Sequence, residues 1–127
     1  MSEIKQMLVI RGDLVKKMKS GKLAVQLSHA SNAFMAWKWL SGLEPSEDER
    51  KWLSDDLSVK IVLEVSNEAE LQMLHTRTKM AGLESHLITD AGLTVFPEPT
   101  VTCLAIGPDL ATKINPFTEH LKLFYGK

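Results

Sequence analysis

The chain has 127 residues, of which 44% are hydrophobic and 24% are charged, and its formal net charge is −1. This length and composition are typical of one globular domain with its own core, so we expect residues 1–127 to form a single domain. The near-neutral charge excludes a protein that binds polyanions over its whole surface, so a nucleic-acid function requires a local basic patch.

The cysteine content and the N-terminus together predict a cytoplasmic protein. Cys103 is the single cysteine, which excludes an internal disulfide framework and fits a reducing compartment. Because it lies inside an apolar run, we expect it to be a buried small hydrophobe rather than a nucleophile. The start MSEIKQ has no apolar signal core, and no stretch approaches the roughly 20 apolar residues that cross a membrane, so we expect no membrane association.

Strand and helix signals alternate along the chain, which predicts an α/β fold. Continuous apolar runs indicate buried strands. Ser46 with Glu49 forms a capping-box pattern that begins a helix. Asn67 with Glu70 forms another, and Gly42 is typical of a helix end. The predicted strands are residues 6–11, 59–65, 84–89 and 100–106, and the predicted helices are residues 21–41, 47–54 and 68–81.

The C-terminal quarter has weaker signals. We expect Gly107-Pro108 to begin a short helix and Asn115-Pro116 to end it, because proline cannot continue a helix. Residues 120–125 are predicted to form a short edge strand or an extended tail. The segment 95–99 contains two prolines and is predicted to be irregular.

A cluster of lysines precedes the longest predicted helix. Lys16, Lys17, Lys19 and Lys22 fall within seven positions, and Gly21 lies where a loop is expected to become the helix. The unpaired amides at a helix N-terminus attract anions, and lysines around them strengthen that attraction. This segment is therefore a candidate anion site.

Polar side chains continue along the same helix and recur in a later loop. Lys22, Gln26 and His29 are spaced i, i+4 and i+7, which places them within an arc of roughly 60°. They could form the wall of a cleft, or simply a solvated helix flank. Asp90 could orient a water or pair with a lysine, although an aspartate before Ala-Gly often bonds its own turn. Thr94 and Thr100 add hydroxyls near this loop.

Other residue types suggest little further chemistry. The histidines lack metal-ligand spacing and there is no Cys-His cluster, so we expect no metal dependence. Trp37, Trp39 and Trp52 are predicted to be core or subunit contacts, and base stacking on a nucleic acid is the alternative.

The motifs GKLAVQLSHA, DAGLT and TVTCLAIGP, in this order, resemble the peptidyl-tRNA hydrolase family found in archaea and eukaryotes. The resemblance extends from Met7 to Phe124. It implies an α/β fold with a mixed four-stranded sheet, helices on both faces in a single three-layer domain, and a homodimer.

The resemblance also implies a function: hydrolysis, without a cofactor, of the ester that joins a peptide to the 3′ end of tRNA. Lys22 would stabilise the oxyanion, Asp90 would orient the water or hold Lys22, and Thr100 would position water or substrate. The implied substrate-binding residues are Gln26, His29, Thr94, Lys16, Lys17 and Lys19.

The chain departs from the family pattern at a few positions. Ser20 replaces the first lysine of the usual GKGK stretch, and Leu93, Val95 and residues 97–99 replace the usual residues after DAG. The alternative hypothesis is therefore a non-catalytic relative that binds RNA, a nucleotide or a protein. A third is a small subunit whose lysines contact an acidic partner.

Overall fold

The computed structural model describes residues 3–54 and 58–125. The predicted domain, residues 1–127, therefore includes residues 1–2, 55–57 and 126–127, which lie outside the described part. The strands are β1 (Ile4–Arg11), β2 (Lys60–Val65), β3 (Ser85–Asp90), β4 (Thr100–Leu110) and β5 (Lys122–Leu123), and the helices are α1 (Val15–Ser41), α2 (Glu47–Ser54), α3 (Glu68–Met80) and α4 (Ala111–Thr118). None of the helices in the described ranges combines the length and apolar character needed to cross a membrane.

The strands form one mixed sheet in the order β3-β4-β1-β2-β5. β1 and β2 are parallel, and the other three neighbouring pairs are antiparallel. The predicted α/β fold with a mixed sheet is confirmed, but the sheet has five strands rather than four. The fifth strand arises because Lys122 and Leu123 pair with Glu64 and Leu63 at the edge of the sheet.

Helices cover both faces of the sheet, as predicted. Leu8 and Ile10 pack on one side with residues of α1, and Met7 and Val9 pack on the other with residues of α3 and α4. α2 lies on the α1 side, where Trp52 meets Phe34 with the ring centroids 5.9 Å apart. A strand covered on both sides needs apolar residues at successive positions, which explains the continuous apolar run of β1.

The predicted lysine loop is wrong, because α1 begins at Val15 rather than at residue 21. Lys16 and Lys17 lie in a first helical turn that the buried Met18 anchors to the core. Lys19 interrupts the helix with φ 60° and ψ 179°, so the long part of α1 begins only after it. The predicted end at Gly42 is confirmed, and this residue has φ 69°.

Both predicted capping boxes are present at the helix starts, one complete and one modified. The Glu49 amide donates to Ser46 Oγ at 3.1 Å, and the Ser46 amide donates to Glu49 Oε1 at 2.7 Å. At α3, the Glu70 amide donates to Asn67 Oδ1 at 3.0 Å, but the Glu70 carboxylate accepts from the Ser66 amide.

The prediction for the segment after residue 106 is wrong in two respects. β4 continues through Gly107-Pro108 to Leu110, because β1 is long enough for Ile4 to pair with Leu110. Pro116 lies inside α4 instead of ending it. The helix continues because the Glu119 amide donates to Asn115 O at 3.0 Å and Ile114 is fully buried in the core.

Candidate active site

Lys22 and Asp90 form a close ion pair although 68 positions separate them in the chain. Lys22 Nζ lies 2.5 Å from Asp90 Oδ1. The lysine lies in the first full turn of α1 after the Lys19 interruption, and the aspartate is the last residue of β3. The Asp90 side chain is 6% exposed and that of Lys22 is 20% exposed, so the ammonium is the part of the pair that solvent reaches.

Asp90 uses both of its carboxylate oxygens. Oδ1 accepts from Lys22 and from Gln26 Nε2 at 3.3 Å, and Oδ2 accepts from the Gly92 amide at 2.9 Å. The two interpretations of Asp90 are therefore compatible, since it pairs with a lysine and also bonds its own turn. The hydrogen bond from Lys22 is the main cause that lowers the pKa of this carboxyl. The Gly92 amide and the charge of His29 lower the pKa further, whereas burial raises it. Asp90 is therefore ionised at neutral pH.

A buried hydrogen-bond chain supports Asp90 from beneath. Thr102 Oγ1 donates to Gln26 Oε1 at 2.6 Å, and the Gln26 amide nitrogen donates to Asp90. Because a carboxamide has one acceptor and one donor end, the Thr102 bond turns the NH₂ group toward Asp90. Thr102 is fully buried and Gln26 is 3% exposed, so Gln26 orients Asp90 from inside the protein.

Sequence reasoning missed Thr102, although a signal for it was present. Side chains at alternate positions of a strand point to the same face, so Thr100 and Thr102 of β4 belong to one face. The predicted residue Thr100 pairs with Asp90 across the β3–β4 ladder, and its hydroxyl donates to Glu98 O at 2.8 Å. The structure thus brings both threonines close to Asp90, but it is Thr102 that belongs to the buried chain.

Thr94 holds the other side of Lys22. Lys22 Nζ donates to Thr94 Oγ1 at 2.8 Å, so Thr94 contacts the lysine directly. Two residues of the loop 91–99, Phe96 and Gly92, hold it in place. Phe96 is buried in the core, and Gly92, at φ 81°, packs so closely that an added Cβ would lie 2.3 Å from the Glu98 carbonyl carbon. The predicted irregular segment is therefore a closed loop that presents Thr94 to Lys22.

The remaining predicted residues lie on the exposed surface around this pair. Lys16, Lys17, Lys19 and His29 are exposed on α1. Lys17 Nζ lies 5.4 Å from the centre of the Phe96 ring, so the first turn of α1 also contacts the loop. Lys16, Lys17 and Lys19 thus add exposed positive charge to the start of α1, on the N-terminal side of Lys22.

The geometry gives Lys22 a donor to spare. An ammonium group has three N–H donors, and among the described residues Asp90 and Thr94 take two of them, which leaves one for a bound ligand. Such a fixed cation stabilises negative charge that develops on a carbonyl oxygen. The described ranges contain no group of three or more His, Cys, Asp or Glu side chains able to hold a metal ion.

Comparison with known proteins identifies the family. A family model described as "Peptidyl-tRNA hydrolase PTH2" matches residues 4–124. The chain is 42% identical over 120 residues to the peptidyl-tRNA hydrolase of Methanopyrus kandleri, with 94% of this chain and 97% of the relative covered. It is 39% identical over 125 residues to the Thermococcus sibiricus protein of the same name, covering 97% of this chain and 99% of the relative. The chain belongs to the peptidyl-tRNA hydrolase PTH2 family.

The family match includes every predicted site residue. The peptidyl-tRNA hydrolase of Methanothermobacter thermautotrophicus is 38% identical over 122 residues, with 94% of this chain and 99% of the relative covered. Ser20, Leu93 and Val95 are exposed. Thr94, which lies between Leu93 and Val95, accepts a hydrogen bond from Lys22. In this PTH2 chain Ser20, Leu93 and Val95 therefore lie on the surface, outside the buried support of Asp90.

Proposed function

We propose that this protein hydrolyses the ester between a peptide and tRNA and releases free tRNA. The observation that carries the proposal is the Lys22–Asp90 pair, whose ammonium keeps one N–H for a substrate oxygen. Membership of the PTH2 family and the names of the three relatives support the same reaction.

In the proposed mechanism, water attacks the ester carbonyl and Lys22 donates to the oxyanion that develops. The carbonyl carbon–oxygen bond to tRNA then breaks, and the leaving ribose oxygen takes up the proton that the attacking water loses, so one water is consumed and a peptide carboxylic acid and free tRNA are released. Asp90 holds Lys22 in place, and Gln26 fixes Asp90. Thr100 positions water or substrate beside Asp90. One such oxyanion donor is worth about 3–4 kcal/mol of transition-state stabilisation.

The exposed cations of α1 are proposed to bind the tRNA. Lys16, Lys17 and Lys19 would contact backbone phosphates, and His29 would line the approach to Lys22. Binding through phosphates releases counterions, so the logarithm of the binding constant should fall with the logarithm of salt by about 0.7–0.9 for each phosphate contacted. Removal of one of these lysines should reduce the magnitude of that slope by about 0.7–0.9, which is the contribution of one phosphate contact.

We further propose that residues 1–127 form one domain that acts in the cytoplasm as a homodimer. The single cysteine, which is buried, supports a reducing compartment. Trp39 and Leu40 are 82% and 85% exposed near the end of α1, where a second copy could cover them. Sedimentation of the purified protein measures the oligomeric state directly.

Release of peptide from peptidyl-tRNA tests the proposed reaction. The wild-type protein should show turnover, and Lys22→Ala and Asp90→Asn should each lower kcat by about a hundredfold or more. Lys113→Ala is the matched control, because it removes an exposed lysine from α4 on the opposite face of the sheet. Unchanged rates in both site variants would refute these roles. A wild-type protein that shifts tRNA in a gel without releasing peptide would support the non-catalytic alternative instead.

A further inference from the structure

A cavity lies at the opposite end of β3 from Asp90. Its volume is about 480 Å³. The side chains that give it chemical character come from α1, α3, the loop before β3 and β3 itself, namely Trp37, His75, Lys79, Glu84, Ser85 and His86. We call it the Trp37 cavity. It contains none of the residues assigned above to the hydrolysis of the ester.

One wall of the Trp37 cavity is aromatic. Trp37 is 47% exposed, and its ring centroid lies 6.0 Å from that of His86. His86 Nε2 lies 2.7 Å from Glu84 Oε2, which fixes the imidazole beside the indole. An indole that is half exposed at the wall of a cavity can stack on a flat ligand.

The other wall is polar and offers both donors and acceptors. His75 Nδ1 lies 2.7 Å from the Ser85 hydroxyl, so Nε2 is the nitrogen that remains for a ligand. Burial is the main cause that lowers the pKa of His75, and the charges of Lys79 and His86 lower it further. The His75 ring is therefore neutral at pH 7. Lys79 adds a cation and Glu84 adds a carboxylate. This mixture suits the edge of a nucleobase better than it suits a simple anion.

The Trp37 cavity and the Lys22–Asp90 pair lie along the same two elements. Lys22 and Trp37 are fifteen residues apart on α1, which places them about 60° apart around the helix and about 22 Å apart along it. His86 and Asp90 are four residues apart on β3, or about 13 Å. A few nucleotides of extended single strand cover such a distance. A strand with its ester at Lys22 could therefore reach Trp37 along the α1–β3 side of the protein.

We propose that the Trp37 cavity binds a nucleobase from the single-stranded 3′ end of the substrate RNA. The base stacks on Trp37, and its polar edge contacts His75, Lys79 and Glu84. The inference rests on the proposed function, because the ester must lie at Lys22 for the strand to run in this direction. It adds a binding site that strengthens recognition of RNA without contacting the reacting atoms.

Two substrates separate this site from the reacting centre: peptidyl-tRNA, and a peptidyl ester of adenosine that lacks the preceding nucleotides. Trp37→Ala should lower kcat/KM on peptidyl-tRNA by about tenfold and leave kcat/KM on the adenosine ester unchanged, so the ratio of the two values falls about tenfold. The reason is that loss of a stacked base weakens binding of the long substrate alone. Trp37→Phe should retain most of the ratio. Tyr125→Ala is the control, because it removes an exposed aromatic side chain that follows β5 at the opposite edge of the sheet and does not line the cavity.

Failure of this inference differs from failure of the proposed function. An unchanged ratio in Trp37→Ala, with peptidyl-tRNA still hydrolysed, would overturn the Trp37 cavity as a base site. A shift of Trp37→Ala from dimer to monomer in sedimentation would also overturn it and would assign the surface to a second copy. If the wild type hydrolyses neither substrate, titration with an RNA hairpin bearing a short single-stranded 3′ end decides. About tenfold weaker binding by Trp37→Ala than by Tyr125→Ala would support the site, and equal binding would overturn it.

Discussion

Thr102→Val tests whether the buried Thr102–Gln26–Asp90 chain orients the carboxylate that holds Lys22. The substitution keeps the shape of the side chain and deletes one hydroxyl. Gln26 Oε1 then loses its 2.6 Å donor in a site where Gln26 is 3% exposed. A buried acceptor left without a partner costs about 1–3 kcal/mol, so the free energy of unfolding should fall by this amount.

The effect of Thr102→Val on catalysis can be worked out from the same contacts. Without the Thr102 bond the Gln26 carboxamide is free to rotate, and its donation to Asp90 at 3.3 Å is lost. A hydrogen bond to a charged group contributes about 1.5–3 kcal/mol. If about half of this reaches the transition state through Lys22, kcat falls by about threefold to tenfold, because each 1.4 kcal/mol corresponds to a factor of ten. KM should stay within about twofold, since the chain contacts no substrate.

Steady-state peptidyl-tRNA hydrolysis and urea unfolding measure the two effects of Thr102→Val. Thr102→Ser retains the hydroxyl and should recover most of kcat, which a purely structural role for the methyl group would not allow. Combining Thr102→Val with Gln26→Leu should cost less than the sum of the two single changes, because the unsatisfied acceptor is then absent. A Thr102→Val protein that is destabilised but has the wild-type kcat would refute the positioning role.

Three further predictions follow from the buried charges and the thiol. Lys22 lowers the pKa of Asp90 in the folded protein. The pair therefore stabilises the fold fully at a pH above the pKa that Asp90 has in the unfolded chain, and this stabilisation is lost as the pH falls from there through the lower pKa of the folded protein. Thermal unfolding between about pH 5 and about pH 3 should therefore show a steeper loss for the wild type than for Asp90→Asn. Burial raises the pKa of Cys103 to about 11, so a thiol reagent at about pH 8 should modify the native protein at least about a hundredfold more slowly than the unfolded one. Lys38→Met leaves buried Glu49 without its cation and should cost about 3–5 kcal/mol in urea unfolding, whereas Lys51→Met, at an exposed pair, should cost under about 0.5 kcal/mol. An equal loss of unfolding free energy in Lys38→Met and Lys51→Met would contradict the cost predicted for Lys38→Met.

The sequence by itself determined the features that depend on near neighbours. Ser46 and Glu49 are three positions apart, so their reciprocal bonds could be predicted from the residue types alone. The glycine at position 42 ends α1 because only a few residue types tolerate its left-handed conformation. The apolar runs predicted the buried strands, and the family motifs singled out Lys22 and Asp90.

The tertiary structure decided whatever depends on contacts between distant parts of the chain. β4 passes Gly107-Pro108 because β1 offers it a partner strand, which local signals at a glycine and a proline cannot reveal. Thr102 belongs to the site because its hydroxyl meets Gln26 from 76 positions away. Trp52 is buried whereas Trp37 is half exposed, although the residue type is the same. In each case the outcome is set by which surfaces pack together, and packing is a property of the folded chain as a whole.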